Sequence, residues 1–247
     1  MTYCVGMLLD RGLVFMSDTR TNAGLDNIAT ARKMHTWEVP GDRVITLMTA
    51  GNLATTQAVV GLIDERTKAP EDRTPSILET PSMFQIAHEV GQTLKEVIAQ
   101  NAEGGAEASA FGATMIIGGQ IKGSAPRLFL IYPEGNFIEA STDNPFFQIG
   151  ETKYGKPILV RAYDPALSFE QAIKLLMVSF DSTIKSNLSV GLPLDYVTYE
   201  RDQLKLGRQG RITDSDPYYL TVSNGWGEAL QSAFGQLPEF SFDDTAT

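Results

Sequence analysis

The stretch MTYCVGMLLDRGLVFMSDTRTNAGLDNIATARK, residues 1–33, decides the fold. Its segment TYCVGMLL (2–9) is a nearly continuous apolar run that ends at the turn-forming DRG of residues 10–12, and LVFMSD (13–18) follows directly. A short apolar run that lacks polar alternation and is bounded by turn residues is typical of a strand covered on both faces. The pattern therefore predicts a buried β-hairpin over residues 2–18, with other elements packed on each side of it.

The same stretch begins with a candidate nucleophile. Thr2 directly follows Met1, and its small side chain should allow the removal of Met1. Thr2 would then carry both a hydroxyl and a free α-amino group, and an N-terminal threonine whose own amine serves as base is a recognised activated nucleophile. The observation is weak by itself, because many proteins begin Met-Thr and an isolated acid such as Asp18 is more often a turn or solvated residue.

Hydrophobic periodicity divides the rest of the chain into alternating runs of strands and helices. We predict further strands at 33–38, 43–50, 111–119, 127–133 and 136–141, helices at about 52–63, 84–104 and 168–188, a loop at 21–30 and a connection at 70–82. Asn52 and Ser168 stand at N-cap positions, and Gln171 completes a capping box. Such alternating runs indicate the α+β class rather than a parallel βαβ fold. Because strands that are apolar on both faces need helices above and below, the predicted architecture is a four-layer αββα sandwich.

Length, charge and cysteine content restrict the class of protein. The 247 residues suffice for one well-filled domain, and we expect a single domain over 1–247 with a C-terminal extension from about residue 207. The net charge is −10 and the basic residues are scattered, which argues against nucleic acid as a partner. Cys4 is the only cysteine, so no intrachain disulfide can form. The sequence shows no basic leader, and none of its apolar runs approaches the ~20 residues that span a bilayer. We therefore expect a cytoplasmic protein without a membrane partner.

No cofactor or metal is predicted. His35 and His88 are far apart and neither has a second histidine at metal spacing. The glycine-rich segment 118–124 lacks the order of a phosphate-binding loop.

Several short segments together resemble a known family. They are Thr2 after Met1, SDTR at 17–20, Lys33, TAG at 49–51, and Ile149-Gly150 near the later strands. In this order they resemble the proteasome β-subunits, which are N-terminal nucleophile hydrolases. The chain is still more similar to the Anbu group, the bacterial ancestral-β-subunit proteasome homologues, because that resemblance extends through GRITDSDPYY (210–219) near the C-terminus.

The resemblance implies a role for each residue of the opening block. Thr2 would be the nucleophile that attacks an amide carbonyl, and its own α-amine would take the hydroxyl proton. Lys33 would disfavour the protonated amine, Asp18 would hold Lys33, and Arg20 would support the same loop. Gly51 would offer its backbone N–H to the developing oxyanion. The family's fold agrees with the αββα reading, and the family assembles into rings or ring-like spirals of like subunits acting on peptide or protein substrates.

Two later positions depart from the pattern of active β-subunits. That pattern has an acid and a serine before a glycine at the end of the third helix, where this chain reads Ser186-Asn187-Leu188-Ser189-Val190-Gly191, and Ser189 is the candidate for the catalytic serine. The family's Gly-Ser-Gly turn is Gly150-Glu151-Thr152 here. These departures motivate a second hypothesis, a ring- or spiral-forming scaffold or peptide-binding subunit with weak or no catalysis. A third hypothesis is a small-molecule amidase.

Overall fold

The computed structural model describes residues 2–22, 28–68, 76–102 and 107–242. The strands are β1 (Tyr3–Leu9), β2 (Gly12–Asp18), β3 (Arg20–Asn22), β4 (Ile28–Thr30), β5 (Met34–Val39), β6 (Arg43–Gly51), β7 (Ala113–Ile121), β8 (Arg127–Ile131), β9 (Phe137–Glu139), β10 (Phe146–Gly150), β11 (Leu194–Glu200) and β12 (Gln209–Ile212). The helices are α1 (Leu53–Lys68), α2 (Met83–Ala102), α3 (Lys156–Ala162), α4 (Phe169–Ser186) and α5 (Pro217–Gly235), with one 3₁₀ turn at Ala108–Phe111.

Two antiparallel five-stranded sheets form the centre of the molecule. The first sheet has the strand order β10-β1-β2-β11-β12 and the second has the order β5-β6-β7-β8-β9. Among the described residues, the short strands β3 and β4 pair with each other and with no other strand. Because β1 lies between β10 and β2, the residue that precedes it is next to the end of β10.

The strand β1 is buried on both faces, as its continuous apolar sequence predicts. Tyr3, Val5 and Met7 point toward α4, and Tyr3 contacts Phe180 with ring centroids 4.3 Å apart. Cys4 lies on the opposite face, in the apolar cluster between the two sheets. Alternate residues of this strand therefore contribute to two different apolar cores. If every second residue were polar, those side chains would be buried in one of the two cores.

The second sheet is covered on its outer face by α1 and α2. Leu47 of β6 and Ile117 of β7 belong to the same apolar cluster as Val59 of α1 and Val90 of α2. Helices therefore pack on one face of each sheet, and the two sheets share a core with each other. The predicted α+β class agrees with this mixture of helices and antiparallel sheets.

The predicted helix caps are confirmed. The N–H of Thr55 donates to Asn52 Oδ1 at 3.1 Å at the start of α1. Ser168 and Gln171 form the reciprocal capping box of α4. Both signals were readable from the sequence because a cap involves residues only three positions apart.

Other sequence expectations need correction. The loop predicted at 21–30 is wrong at its two ends, which form the short strands β3 and β4; residues 23–27 lie outside the described residues. The strands β10, β11 and β12 and the helix α3 have no counterpart in the prediction. Four other parts of the chain also lie outside the described ranges: Met1, residues 70–75 of the predicted connection, the predicted end of α2 near residue 104 and the last five residues.

In the described ranges, no helix combines the length and the apolar character needed to cross a membrane.

Candidate active site

Thr2 lies immediately before β1 and is held through its backbone by the end of β10. Tyr3 pairs with Gly150, and the N–H of Glu151 donates to the carbonyl oxygen of Thr2 at 2.6 Å. On the other side, the N–H of Tyr3 donates to Asp18 Oδ1 at 2.9 Å. Thr2 is only 9% exposed. The backbone around this residue is therefore fixed from two directions.

Asp18 and Lys33 form a buried ion pair beside Thr2. Lys33 Nζ is 2.7 Å from Asp18 Oδ1, and it also donates to the backbone oxygen of Arg20 at 2.7 Å. Asp18 is fully buried and Lys33 is 4% exposed. The pairing that the family resemblance implies for these two residues is present, and it fixes the position of the lysine ammonium.

Burial raises the pKa of the Asp18 carboxyl, while the Lys33 ammonium and the Tyr3 N–H act in the opposite direction. The ionised carboxylate therefore depends on the lysine for its stability in this apolar surrounding. Removing one partner of such a buried pair typically costs about 3–5 kcal/mol, because the other charge is left uncompensated.

A cavity of about 320 Å³ opens at Thr2. Four of the six predicted site residues line it, namely Thr2, Arg20, Lys33 and Gly51. The other lining residues, which were not among the predicted site residues, are Thr21, Thr49, Ala50, Leu53, Thr56 and Gly150. Three of them, Thr49, Ala50 and Gly150, belong to segments that carry the family resemblance, and Thr21 directly follows Arg20. Leu53 and Thr56 carry no signal in the sequence beyond their position within five residues of Gly51.

Gly51 adopts a backbone conformation that favours glycine. Its φ is +118°, and a Cβ at this position would lie 2.5 Å from the carbonyl oxygen of Gly112. A side chain is therefore excluded at this point of the cavity wall. The absence of a Cβ leaves room for the close approach of a ligand to the backbone.

Arg20 braces the loop that follows α4. Its Nη1 donates to the carbonyl oxygen of Leu188 at 2.9 Å. A Cβ on Gly191 would lie 2.3 Å from the guanidinium carbon, so the two residues are in close contact. Arg20 thus connects the cavity, which it lines, to the loop at 187–191.

Ser189 is not among the described residues that line the cavity. Its N–H donates to Asn187 Oδ1 at 3.0 Å, and the residue is half-buried. Its predicted catalytic role stays a prediction. Ser186, at the position where the sequence comparison expects an acid, is exposed and donates to the backbone oxygen of Ser182 at 2.9 Å.

The side chain that faces Glu151 from the end of α4 is that of Asn187. Asn187 Nδ2 donates to Glu151 Oε2 at 3.0 Å, and the N–H of Lys153 donates to Glu151 Oε1 at 2.7 Å. Burial alone would raise the pKa of Glu151, but the hydrogen bonds from Lys153 and Asn187 outweigh it and the net effect is a lowered pKa. Glu151 is therefore ionised at neutral pH.

The lowered pKa of Glu151 predicts a loss of stability in acid. Because the pKa is lower in the folded chain than its ordinary value of 4.5, the ionised carboxylate stabilises the fold above that value. This contribution disappears as the pH falls through the folded-state pKa. We expect the melting temperature of the wild type to fall more steeply below pH 4.5 than that of Glu151→Gln, measured by calorimetry. Parallel curves for the two proteins would contradict the expectation.

Gly150 lies directly against the backbone of Thr2, and a substitution at this position tests how much that contact matters. Its φ is +80°, and a Cβ would lie 2.0 Å from the carbonyl oxygen of Thr2. Gly41 has a similar φ of +78° with nothing within 4 Å, which makes it a matched control. We expect Gly41→Ala to cost about 1–2 kcal/mol of unfolding free energy for the left-handed backbone. Gly150→Ala should cost a further ~1–3 kcal/mol because the Thr2 backbone must move. Equal urea-unfolding free energies for the two variants would show that the contact is unimportant.

Cys4 is not part of the cavity lining. It is fully buried, its Sγ donates to the backbone oxygen of Thr49 at 3.8 Å, and burial raises the pKa of the thiol. These properties are those of a core residue rather than a nucleophile. Within the described ranges, no three histidine, cysteine, aspartate or glutamate side chains lie close enough together to hold a metal ion.

Comparison with known families finds a match over most of the chain. The family model described as "Proteasome subunit" matches residues 2–191. A search of curated proteins found no match.

Solved structures give similarity over nearly the full length. Anbu (ancestral beta-subunit) from Yersinia bercovieri is 47% identical, with a TM-score of 0.91 over 98% of this chain and 100% of that chain. Anbu from Hyphomicrobium sp. strain MC1 is 50% identical, with a TM-score of 0.89 over 97% of this chain and 100% of that one. The protein in the helical assembly of the Anbu complex from Pseudomonas aeruginosa is 44% identical, with a TM-score of 0.89 over 98% and 99% of the two chains.

Proposed function

Because this chain belongs to the proteasome subunit family, and within it to the Anbu type, we propose that it is a threonine-type peptidase or amide hydrolase with Thr2 as nucleophile. The family match and the similarity to Anbu structures confirm the resemblance inferred from the sequence. The observation that carries the proposal is the cavity shared by Thr2, the Lys33 ammonium and Gly51. We further infer that the two sheets and the helices outside them are the αββα sandwich of the N-terminal nucleophile hydrolases.

The first chemical step is acyl transfer to Thr2. Thr2 Oγ attacks the carbonyl carbon of a peptide or protein substrate, and the free α-amine of the same residue takes the hydroxyl proton. A free α-amine has a pKa of about 7.7–8.0 and is partly neutral near neutral pH. The ammonium of Lys33 disfavours the protonated amine and so increases the neutral fraction.

The remaining steps resolve an ester. The backbone N–H of Gly51 stabilises the oxyanion of the tetrahedral intermediate. Its collapse breaks the C–N bond, and the leaving amine takes the proton held by the Thr2 α-amine. Water then hydrolyses the ester between Thr2 Oγ and the acyl group. The mechanism requires that Thr2 becomes the first residue, which intact-mass analysis of the purified chain can establish.

We propose that the protein acts as a homo-oligomer, in a ring or a ring-like spiral. A relative from Pseudomonas aeruginosa forms a helical assembly. The helix α5 carries only one charged residue, Glu228. The large apolar side chains exposed on it or just after it are Tyr218, Leu220, Leu230, Phe234, Leu237, Phe240 and Phe242. Exposed apolar side chains grouped in this way are typical of a protein–protein interface. Analytical ultracentrifugation of the full chain tests the proposal, and a monomer at all accessible concentrations would contradict it.

The single cysteine, Cys4, suits the cytoplasmic location that we also propose.

Covalent labelling tests the proposed chemistry. The purified oligomer is incubated with a peptide-like electrophile such as a peptidyl epoxyketone or β-lactone, and the adduct is located by mass spectrometry. We expect one adduct per chain, on Thr2. A mature chain that starts at Thr2 and forms no adduct would favour the scaffold or peptide-binding alternative. Comparing hydrolysis of extended peptides with that of simple amides separates a peptidase from a small-molecule amidase.

A further inference from the structure

Thr2 belongs to a closed series of hydrogen bonds, which we call the Thr2 circuit. One half runs through the later part of the chain. The N–H of Glu151 donates to Thr2 O at 2.6 Å, and Asn187 Nδ2 donates to Glu151 Oε2 at 3.0 Å. Asn187 Oδ1 in turn accepts the N–H of Ser189 at 3.0 Å, so this asparagine connects Glu151 to the loop after α4.

The other half of the circuit returns through the opening block. Arg20 Nη1 donates to Leu188 O at 2.9 Å, and Arg20 O accepts from Lys33 Nζ at 2.7 Å. Lys33 Nζ also donates to Asp18 Oδ1 at 2.7 Å, and the same oxygen accepts the N–H of Tyr3 at 2.9 Å. Tyr3 is covalently joined to Thr2, which closes the ring. The circuit therefore fixes the Thr2 backbone relative to the Lys33 ammonium.

Glu151 carries the only charged side chain in the first half of this circuit. It is 6% exposed, each of its two oxygens accepts a hydrogen bond, and its pKa is lowered by those bonds against the effect of burial. It is not among the described residues that line the cavity. These properties make Glu151 unsuited to donate or accept a proton in the reaction. They suit a fixed anion that orders the backbone of the turn at residues 150–153.

We propose that Glu151 and Asn187 are positioning residues, which hold the carbonyl of Thr2 through the N–H of Glu151 and so set the direction of its nucleophilic hydroxyl. The catalytic consequence rests on the function proposed above, whereas the hydrogen-bonded arrangement does not. Glu151 stands at the serine of the family's Gly-Ser-Gly turn, and Asn187 directly follows Ser186, the position where the family pattern has an acid. Under this proposal, Glu151 and Asn187 together replace the side chains that support the nucleophile in the family pattern, and the support of Thr2 is kept.

An exchange of the two polar groups tests this pairing. Glu151→Gln leaves two amides facing each other, and Asn187→Asp leaves two carboxylates facing each other. In the double variant Glu151→Gln/Asn187→Asp, the new amide at 151 can donate to the new carboxylate at 187, which can still accept the N–H of Ser189. Glu139→Gln is a matched control because Glu139 also accepts two hydrogen bonds, from Arg127, but lies outside the circuit.

The catalytic readout is the rate of Thr2 acylation by a peptidyl β-lactone, whose ring opens to leave an ester on Thr2 Oγ, resolved into a saturation constant and a maximal rate. We expect each single variant to lower the maximal rate roughly 10- to 100-fold, as for a displaced catalytic group, with the saturation constant nearly unchanged. The double variant should recover most of the lost rate, and Glu139→Gln should match the wild type. Unchanged rates in both single variants, or a double variant as slow as the singles, would overturn the proposal.

A second readout does not depend on activity. The amide of Glu151, which donates to Thr2 O, should exchange its hydrogen slowly in the wild type and faster in each single variant, with slow exchange restored in the double variant. Unchanged exchange in the single variants would overturn the proposal even if their acylation were slower. If the wild type forms no adduct, the proposed hydrolase function fails, and amide exchange alone decides whether Glu151 and Asn187 position Thr2.

Discussion

Thr2→Ala is expected to abolish covalent labelling and to lower any peptide or amide hydrolysis by ~10⁴-fold or more, because it removes the hydroxyl that we propose as the nucleophile. The change should leave the fold intact, since the contacts that hold residue 2 are made by its carbonyl oxygen and by the N–H of Tyr3. Alanine keeps the small side chain that permits removal of Met1 and keeps the free α-amine. The measurement is adduct formation by intact mass, together with turnover of a fluorogenic peptide.

Thr2→Ser is the matched comparison for this variant. Serine keeps Oγ and loses only the methyl group that makes threonine stiff at χ1. We expect it to retain labelling at a rate reduced roughly 2- to 10-fold, which corresponds to about 0.5–1.5 kcal/mol for a less well-defined rotamer. Labelling of Thr2→Ala at the wild-type rate would place the adduct elsewhere and would exclude Thr2 as the nucleophile.

Lys33→Met is expected to have the second large effect, on stability and on acylation together. The apolar side chain has a similar length but leaves the Asp18 carboxylate buried without its ammonium, and we expect a loss of about 3–5 kcal/mol of unfolding free energy. Acylation should fall sharply because the Thr2 amine loses the neighbouring cation. Lys68→Met is the control, since Lys68 and its partner Glu65 are 69% and 62% exposed and the change should alter stability by less than ~0.5 kcal/mol.

A double variant separates the two effects. In Asp18→Asn/Lys33→Met the buried charge is gone, and the oxygen of the new amide can still accept the N–H of Tyr3. Stability measured by urea unfolding should recover most of what Lys33→Met loses, while acylation should stay low. Recovery of acylation in the double variant would show that Lys33 serves the fold alone. Wild-type acylation in Lys33→Met would remove it from the mechanism.

Local sequence signals predicted the parts of the fold that depend on neighbouring residues. The capping box of Ser168 and Gln171 spans three positions, and the burial of β1 on both faces is visible in its unbroken apolar run. The pairing of β1 with β2 follows from the tight turn between them. By contrast, β10 is only five residues long and contains a polar glutamine. It was not predicted because what identifies it as a strand is its pairing with β1, about 140 residues earlier.

The candidate site divides in the same way. The sequence by itself determined the order of Thr2, Asp18, Arg20 and Lys33 in the opening block and, through it, the family, because these residues lie within one short segment. Only the tertiary structure decided that Glu151 and Asn187 face each other beside Thr2. From the sequence, Glu151 is only a departure from a pattern. Its contacts depend on how β10 and the end of α4 are placed around β1, and a sequence pattern, which records spacing along the chain, holds no information about that placement.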